Sequence, residues 1–258
     1  MTENDSRDRG DIAVLRNGYR GRIYSRYNSA RQNSTSLLGI SDLKSRAPYL
    51  RRLIRVHFPS NKLARILDLG CGHGALIHFL REAGYLNVNG VDGSSEQIDL
   101  AKALEIEGVS EGDLWEELGR RDDASLDVIV SFDVIEHFAR DELIPFVDSV
   151  FRVLKPSGVW IIHVPNGESP LFGSIRYGDL THEMAFTRRS ISQLLLSSDF
   201  ARVNSYEDAP VPHGLKSIVR WVVWKVFRSM LRLYVMVETG DSGASYIFSQ
   251  NMLVVAVK

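Results

Sequence analysis

Asp68 and Asp92 bracket the stretch of this chain best equipped for chemistry. Asp68 lies in the apolar run Ile66-Leu67-Asp68-Leu69, which passes into Gly70-Cys71-Gly72-His73-Gly74 and then into the helical pattern Ala75-Leu76-Ile77-His78-Phe79-Leu80. Glycines here allow backbone conformations that a side chain forbids and let a ligand lie against the main chain. The helix that follows turns unpaired N–H groups toward the same place. About twenty residues on, a second apolar run, Val88-Asn89-Gly90-Val91, ends in Asp92, where a strand-end carboxylate can accept from both hydroxyls of a ribose. Gly70-x-Gly72-x-x-Ala75 also fits the dinucleotide fingerprint. Asp68 separates the two cases, because a carboxylate inside that strand suits a cofactor with a cationic amino-acid tail.

These groups meet only if a parallel sheet delivers them, and strand and helix patterns do alternate. Ser41 is expected to cap an amphipathic helix carrying Leu43, Leu50, Leu53, Ile54 and Phe58, which stops before Pro59. Ser94 opens a second helix with Ile98, Leu100, Ala101 and Leu104, closed by Gly108, and a short third strand is expected around Val109. Leu126–Phe132, rich in β-branched residues, reads as a central strand with Asp133 at its end. A helix over 143–154, a turn at Lys155-Pro156-Ser157-Gly158 and a fifth strand over 159–164 follow, with His163 read as a satisfied core histidine. Thr187 caps a helix over 188–197, and strands remain at 201–206 and from Tyr246-Ile247-Phe248 through Val257. In open α/β sheets ligands bind outside the carboxyl ends of strands where strand order reverses. Asp68, Asp92 and Asp133 are therefore expected on the rim of one crevice.

The run Ile66-Leu67-Asp68-Leu69-Gly70-Cys71-Gly72-His73-Gly74 resembles motif I of the class I S-adenosylmethionine-dependent methyltransferases. Gly90-Val91-Asp92-Gly93-Ser94 resembles their acidic ribose-binding motif, Gly112-Asp113-Leu114 their adenine-contacting loop, 126–138 their fourth strand and its exit, and 154–166 their fifth-strand hairpin. The resemblance is continuous over roughly residues 61–206. It implies an α/β, Rossmann-like, doubly wound fold whose seven-stranded sheet has an antiparallel last strand. The expected layout is a tail and helical cap over 1–60 and a methyltransferase domain over 61–258 with a helical insertion at 208–243. It further implies S-adenosylmethionine as cofactor, held by Asp68, Gly70, Cys71, Gly72, Gly74, Asp92, Gly93, Asp113, Leu114, Phe132 and Asp133. For Asp113 a second reading stands beside that one, as a helix N-cap.

The chain of 258 residues is 44% hydrophobic and 24% charged, which suits a globular domain rather than a disordered or membrane-spanning one. A formal net charge of −1 supplies no global attraction to nucleic acid, so none is expected as partner. The single cysteine, Cys71, cannot form an intramolecular disulfide. No signal pattern and no bilayer-length apolar run is seen, so a cytoplasmic protein is expected.

Past the fifth strand lies the polar stretch Arg176-Tyr177-Gly178-Asp179-Leu180-Thr181-His182-Glu183-Met184-Ala185-Phe186-Thr187. It resembles the T-H-x-x-x-F-T stretch of a methyltransferase subset found in bacterial cell-surface polysaccharide and natural-product pathways. That resemblance implies O-methylation of a sugar or glycan-related small molecule. Methyl transfer from a sulfonium needs alignment and exclusion of water, and a hydroxyl nucleophile also gains from a base. His182 is the expected base, with Asp179 or Glu183 to orient it; the alternative is that His182 only pins the loop. The neighbouring Glu136-His137 offers too few ligands for a metal, and none is expected. Two other activities stay open: N- or C-methylation of a small metabolite or lipid precursor, and an inactive cofactor-binding scaffold.

Within the insertion, Leu215, Ile218, Val219, Val222, Val226, Met230, Leu233 and Val237 recur at helical steps, while Lys216, Arg220, Lys225, Arg228 and Arg232 avoid that face. Trp221 and Trp224 are read toward the polar side. The helix over 215–237 suits a peripheral membrane contact or a homodimer contact, and equally a cover for the protein's own sheet or a lid on the acceptor pocket. The aromatic and arginine residues of 19–27 read as the underside of a cofactor lid or as a surface segment.

Overall fold

A computed structural model describes residues 39–258, with Ile23 ahead of them. The rest of the 19–27 stretch lies outside the described residues. The strands are β1 (Arg65–Leu69), β2 (Asn87–Asp92), β3 (Val109–Glu111), β4 (Leu126–Phe132), β5 (Leu154–Pro165), β6 (Arg202–Glu207) and β7 (Asn251–Val257). They form one sheet in the order β3-β2-β1-β4-β5-β7-β6. The first five are parallel, and β7 runs antiparallel between β5 and β6. From β1 the chain steps outward to β2 and β3, then returns to β4 on the other side. Strand order therefore reverses between β1 and β4, where a crevice opens at the carboxyl ends.

The helices are α1 (Ala47–His57), α2 (Ala75–Glu82), α3 (Ser95–Ala103), α4 (Leu114–Gly119), α5 (Arg140–Val153), α6 (Phe172–Arg176), α7 (Arg188–Ser197) and α8 (Leu215–Thr239). Alternation along the strands sorts the core into two layers. Ile66, Val128 and Val130 pack with Leu50, Leu53, Leu76 and Leu80 of α1 and α2. Leu67, Leu69 and Ile129 pack with Phe146, Val150, Ile191 and Leu195 of α5 and α7. Because β1 is covered on both faces beyond the exposed Arg65, its four buried residues are expected to be apolar. Asp68, which follows the phase of Ile66, is the exception and is only 3% exposed.

Four local expectations are corrected. Ser41 does not cap the first α-helix: it lies in a 3₁₀ turn, Ile40–Ser45, and Arg46 is the N-cap residue of α1. Pro48 sits in the first turn of α1, where its missing N–H costs nothing. Gly108 does not close α3, which ends at Ala103 with Glu105 in the left-handed region at φ 54°; Gly108 instead precedes β3. Tyr246, Ile247 and Phe248 stand outside β7, and the backbone N–H groups of Ile247 and Phe248 donate to Glu168 Oε2 and Glu207 Oε1. The expected turn at 155–158 is absorbed into β5 as an irregularity, with the register shifting between Leu126 and Val128. Among the described residues no helix is long and apolar enough to cross a membrane.

Gly74 shows how tightly the glycine turn is built. It is the N-cap of α2 at φ 82°, and a Cβ there would lie 2.7 Å from Val109 Cγ2 and 2.9 Å from Ile106 Cγ2. Gly74→Ala combines a left-handed alanine with overpacking, so it should destabilise the fold by about 2–4 kcal/mol in urea unfolding. A loss below about 0.5 kcal/mol would show that the turn relaxes freely.

Candidate active site

The glycine turn is laced to the end of β2. Gly70 N and Cys71 N donate to Val91 O at 2.8 and 3.1 Å, and Gly72 N donates to Asp92 Oδ2 at 2.8 Å. Asp92 Oδ1 accepts from Ser94 N at 2.9 Å. Each Asp92 oxygen thus holds one backbone bond and keeps a further lone pair toward the crevice. Burial raises its pKa, and the two backbone bonds offset only part of that rise. Gly70, at φ 72°, is required by the protein's own packing, since a Cβ would lie 2.5 Å from Val134 Cγ2. Gly72, at φ 54°, is less crowded, a Cβ there meeting Gln97 Oε1 at 3.6 Å, an ordinary contact. Burial, then the Asp92 charge, pushes the pKa of Asp68 up to about 8.

The remaining expected contacts spread along the same rim. Cys71 is half-buried, with Sγ 3.6 Å from Gly72 O, and Gly93 faces Gly112 across the mouth. Asp113 is exposed and caps α4, its Oδ1 accepting from Trp115 N and Glu116 N, so the N-cap reading is realised there. Leu114 packs on the core beneath it. Phe132, at the end of β4, lies 5.2 Å from the His163 ring, centroid to centroid.

Asp133, expected toward the cofactor, is taken up by His163. Its backbone is left-handed at φ 55°, and Oδ1 lies 2.7 Å from His163 Nδ1. His163 Nε2 lies 3.3 Å from Asp208 Oδ2. Both ring nitrogens face carboxylates, so both carry protons. Burial works against the imidazolium, but the two acids prevail and raise its pKa to about 10. The same contact holds the Asp133 carboxyl below its ordinary range.

Beyond Asp133, the 3₁₀ turn Ile135–His137 meets the 176–187 loop. Glu136 O accepts from Glu183 N at 2.8 Å and Met184 N at 3.0 Å, while Arg176 donates to the carbonyls of His182 and Glu183. This stitching brings His182 beside Glu136 and His137, and one ligand atom from each of the three lies within 4.8 Å of the others. Neither residues 136–137 nor 182 alone indicates this third donor, so the expectation of no metal rested on an incomplete set. Thr181 Oγ1 donates to Asp179 Oδ1 at 2.6 Å and lies 2.9 Å from His137 Nδ1. With its proton committed to Asp179, that hydroxyl accepts from His137, which leaves the lone pair on His137 Nε2. His182 Nδ1 lies 3.1 Å from Ile175 O, which sets the same tautomer. The orienting partner of His182 is thus a backbone carbonyl, whereas Asp179 orients Thr181. Burial, then the nearby His182, lowers the His137 pKa to about 4. Glu136 is fully buried, both carboxyl oxygens lack a hydrogen-bond partner, and burial raises its pKa well above the ordinary value.

An open α/β sheet with a glycine turn at its switch point and an acid at the end of the second strand defines a nucleotide-cofactor-binding protein. The family described as "Methyltransferase domain" matches residues 43–205. The chain belongs to this family, within the class I S-adenosylmethionine-dependent methyltransferases, and S-adenosylmethionine is its cofactor. It is 28% identical over 162 residues to the small RNA 2'-O-methyltransferase of Mus musculus, a match covering 56% of this chain and 39% of that protein. It is 33% identical over 117 residues to the ubiquinone biosynthesis O-methyltransferase of Maricaulis maris, covering 42% of this chain and 43% of that one. The chain therefore spans less than half of either relative. A SAM-dependent methyltransferase from Archaeoglobus fulgidus shares the fold, with a TM-score of 0.62 at 22% identity over 83% of this chain and 94% of that one.

The crevice fits this cofactor. Asp68, buried and reluctant to ionise alone, suits a cationic amino-acid end, and Asp92 retains acceptors for ribose hydroxyls. A cation placed beside Asp68 lowers its pKa below about 8, so cofactor binding at pH 7 should release protons. Calorimetry in buffers of different ionisation enthalpy should detect this release, and Asp68→Asn should abolish it. Equal heats in all buffers for the wild type would place the cationic end elsewhere.

His163 gives a stability prediction of opposite sign to that of a depressed acid. Its pKa is raised from about 6.5 in the unfolded chain to about 10 in the fold. The stabilisation is complete below about pH 6.5 and is lost as pH rises toward about 10. Thermal midpoints should fall across that window, and His163→Gln should flatten the fall. An equal slope in the variant would assign the loss to other groups.

Proposed function

We propose that this protein transfers the methyl group of S-adenosylmethionine to a hydroxyl of a sugar or glycan-related small molecule, and that Glu136, His137 and His182 activate that hydroxyl by holding a divalent cation. The observation that carries this reading is the meeting of the three side chains within 4.8 Å at the carboxyl edge of the sheet. An ionised carboxylate buried without a partner is strongly unfavourable, and a cation between Glu136 and two neutral imidazoles removes that cost. One carboxylate with two histidines suits manganese, iron, cobalt or zinc.

S-adenosylmethionine, when bound, supplies an electrophilic methyl carbon on a sulfonium. Asp68, the turn from Gly70 to Gly74 and Asp92 would hold it, with Gly93, Asp113, Leu114 and Phe132 along the rim. At the acceptor end, one Glu136 oxygen with His137 Nε2 and His182 Nε2 would hold a cation that lowers the pKa of the bound hydroxyl. Asp179 acts as a positioning residue through Thr181 and His137, and Arg176 through the carbonyls of His182 and Glu183.

A hydroxyl is the acceptor that gains most from such a cluster, because it is a poor nucleophile until its proton leaves, whereas a neutral amine needs no base. An inactive scaffold has no use for one. Both curated relatives above are O-methyltransferases by name, and a ribose 2'-oxygen is a sugar hydroxyl. A net charge of −1 gives no global attraction to the phosphate backbone of RNA, which favours a small acceptor.

The test is turnover on a panel of sugars and nucleotide-linked sugars, followed by mass spectrometry of the methylated product. Chelation should lower turnover, and manganese should restore it. Glu136→Gln and His182→Ala should each retain cofactor affinity and lose roughly 10²–10⁴ in rate. A chelation-resistant enzyme that still fails as His182→Ala would make His182 a direct base, and unchanged rates in both variants would remove the cluster from catalysis.

A further inference from the structure

The helix α8 carries its apolar residues on the outside. None of its 25 residues is buried. Trp221, Trp224, Arg228, Leu231 and Val235 are half-buried and mark the side turned to the protein body. The opposite side is a stripe of Val219, Val222, Val226, Met230, Leu233 and Val237, each between 48% and 78% exposed. This overturns the reading in which that face covers the protein's own sheet, while Trp221 and Trp224 do lie away from the apolar stripe, on the side of Arg228. Leaving such a stripe in water forgoes most of the stabilisation that an apolar face can bring.

The chemistry of the flanks identifies what covers it. Lys216, Arg220 and Lys225 are exposed beside the stripe, and no acid occurs in the helix before Glu238. Arg228 is already committed, with Nε 2.6 Å from Glu207 Oε2. A second copy laid against the stripe would set these cations against their own kind, with no acid along most of the helix to answer them. An anionic lipid surface accepts both features at once, the stripe entering the acyl boundary and the cations meeting headgroups. α8 does not qualify as a membrane span, so it would lie in the plane of the interface.

The attachment of α8 gives the docked protein an orientation. β6 runs parallel to β5, because both are antiparallel to β7, so Glu207 and Asp208 emerge at the edge where the crevice opens. Glu207 binds Arg228 of the helix, and Asp208 binds His163 of the rim. We infer that α8 is an in-plane anchor that docks this protein on an anionic lipid bilayer with the crevice edge toward the headgroups. The inference rests on the helix and its attachment through Glu207 and Asp208, and stands apart from the choice of acceptor.

The experiment is cosedimentation of the full chain with vesicles of phosphatidylcholine mixed with phosphatidylglycerol, and with phosphatidylcholine alone, at low salt. Wild type should bind the mixed vesicles and leave the neutral ones. The variant Lys216→Glu, Arg220→Glu, Lys225→Glu should partition on the order of 100-fold more weakly. Val222→Asp with Val226→Asp should remain in the supernatant. All these side chains are exposed, and of the three cations Lys225 also lies over the Trp221 ring, its Nζ 3.7 Å from the centroid, so thermal unfolding close to wild type separates lost docking from lost fold. Wild type that ignores anionic vesicles overturns the inference, as does a charge-reversed variant that binds equally well. A dimer by light scattering that Met230→Asp splits, with no vesicle binding by wild type, would instead assign the stripe to a second copy.

Discussion

Asp68, Asp133, Glu136 and His163 are brought by β1, β4 and β5 to one edge of a sheet that is covered on both faces, and burial there raises the free energy of every charge. The protein meets this in different ways at different points along the edge. His163 is clamped between Asp133 and Asp208 and stays charged. Asp92 takes two backbone N–H groups. Asp68, Asp92 and Glu136 are nonetheless left with raised pKa values, and a cationic group beside Asp68 or Glu136 would lower the energy of the fold. A groove lined with satisfied groups would have little free energy to gain from such a group.

The 176–187 loop depends on the same edge. It carries few apolar anchors, and its placement comes from backbone bonds to Glu136 and from the reach of Arg176. Phe186, fully inside the core, and Thr187, which caps α7 by accepting from Ser190 N, fix its far end. A loop held at both ends by hydrogen bonds can present histidines with defined tautomers, which neither a metal site nor a proton acceptor can do without.

β6 runs parallel to β5 and ends on the crevice side, α8 departs from there, and β7 then returns the chain antiparallel between β5 and β6. Catalytic edge and apolar helix therefore share one rim through adjacent residues, Asp208 to the rim histidine and Glu207 to the helix arginine.

What the sequence determined by itself is whatever short-range chemistry dictates. Glycines at 70, 72 and 74 all adopt positive φ, as a turn between an apolar strand and a helix demands, and the β-branched run 126–132 is a central strand. Thr187 caps its helix, and the eight apolar residues from Leu215 to Val237 do lie on one continuous helix. Only the tertiary structure decided what those local elements face. His182 meets Glu136 and His137 across some forty residues, because the turn after β4 offers a carbonyl that the loop can bind. Asp133 turns to His163 rather than standing free, since its strand-end neighbour on β5 comes within hydrogen-bond reach. The apolar stripe of α8 points outward because Arg228 and the tryptophans take the inner side, and helical periodicity defines a face without saying which way it looks.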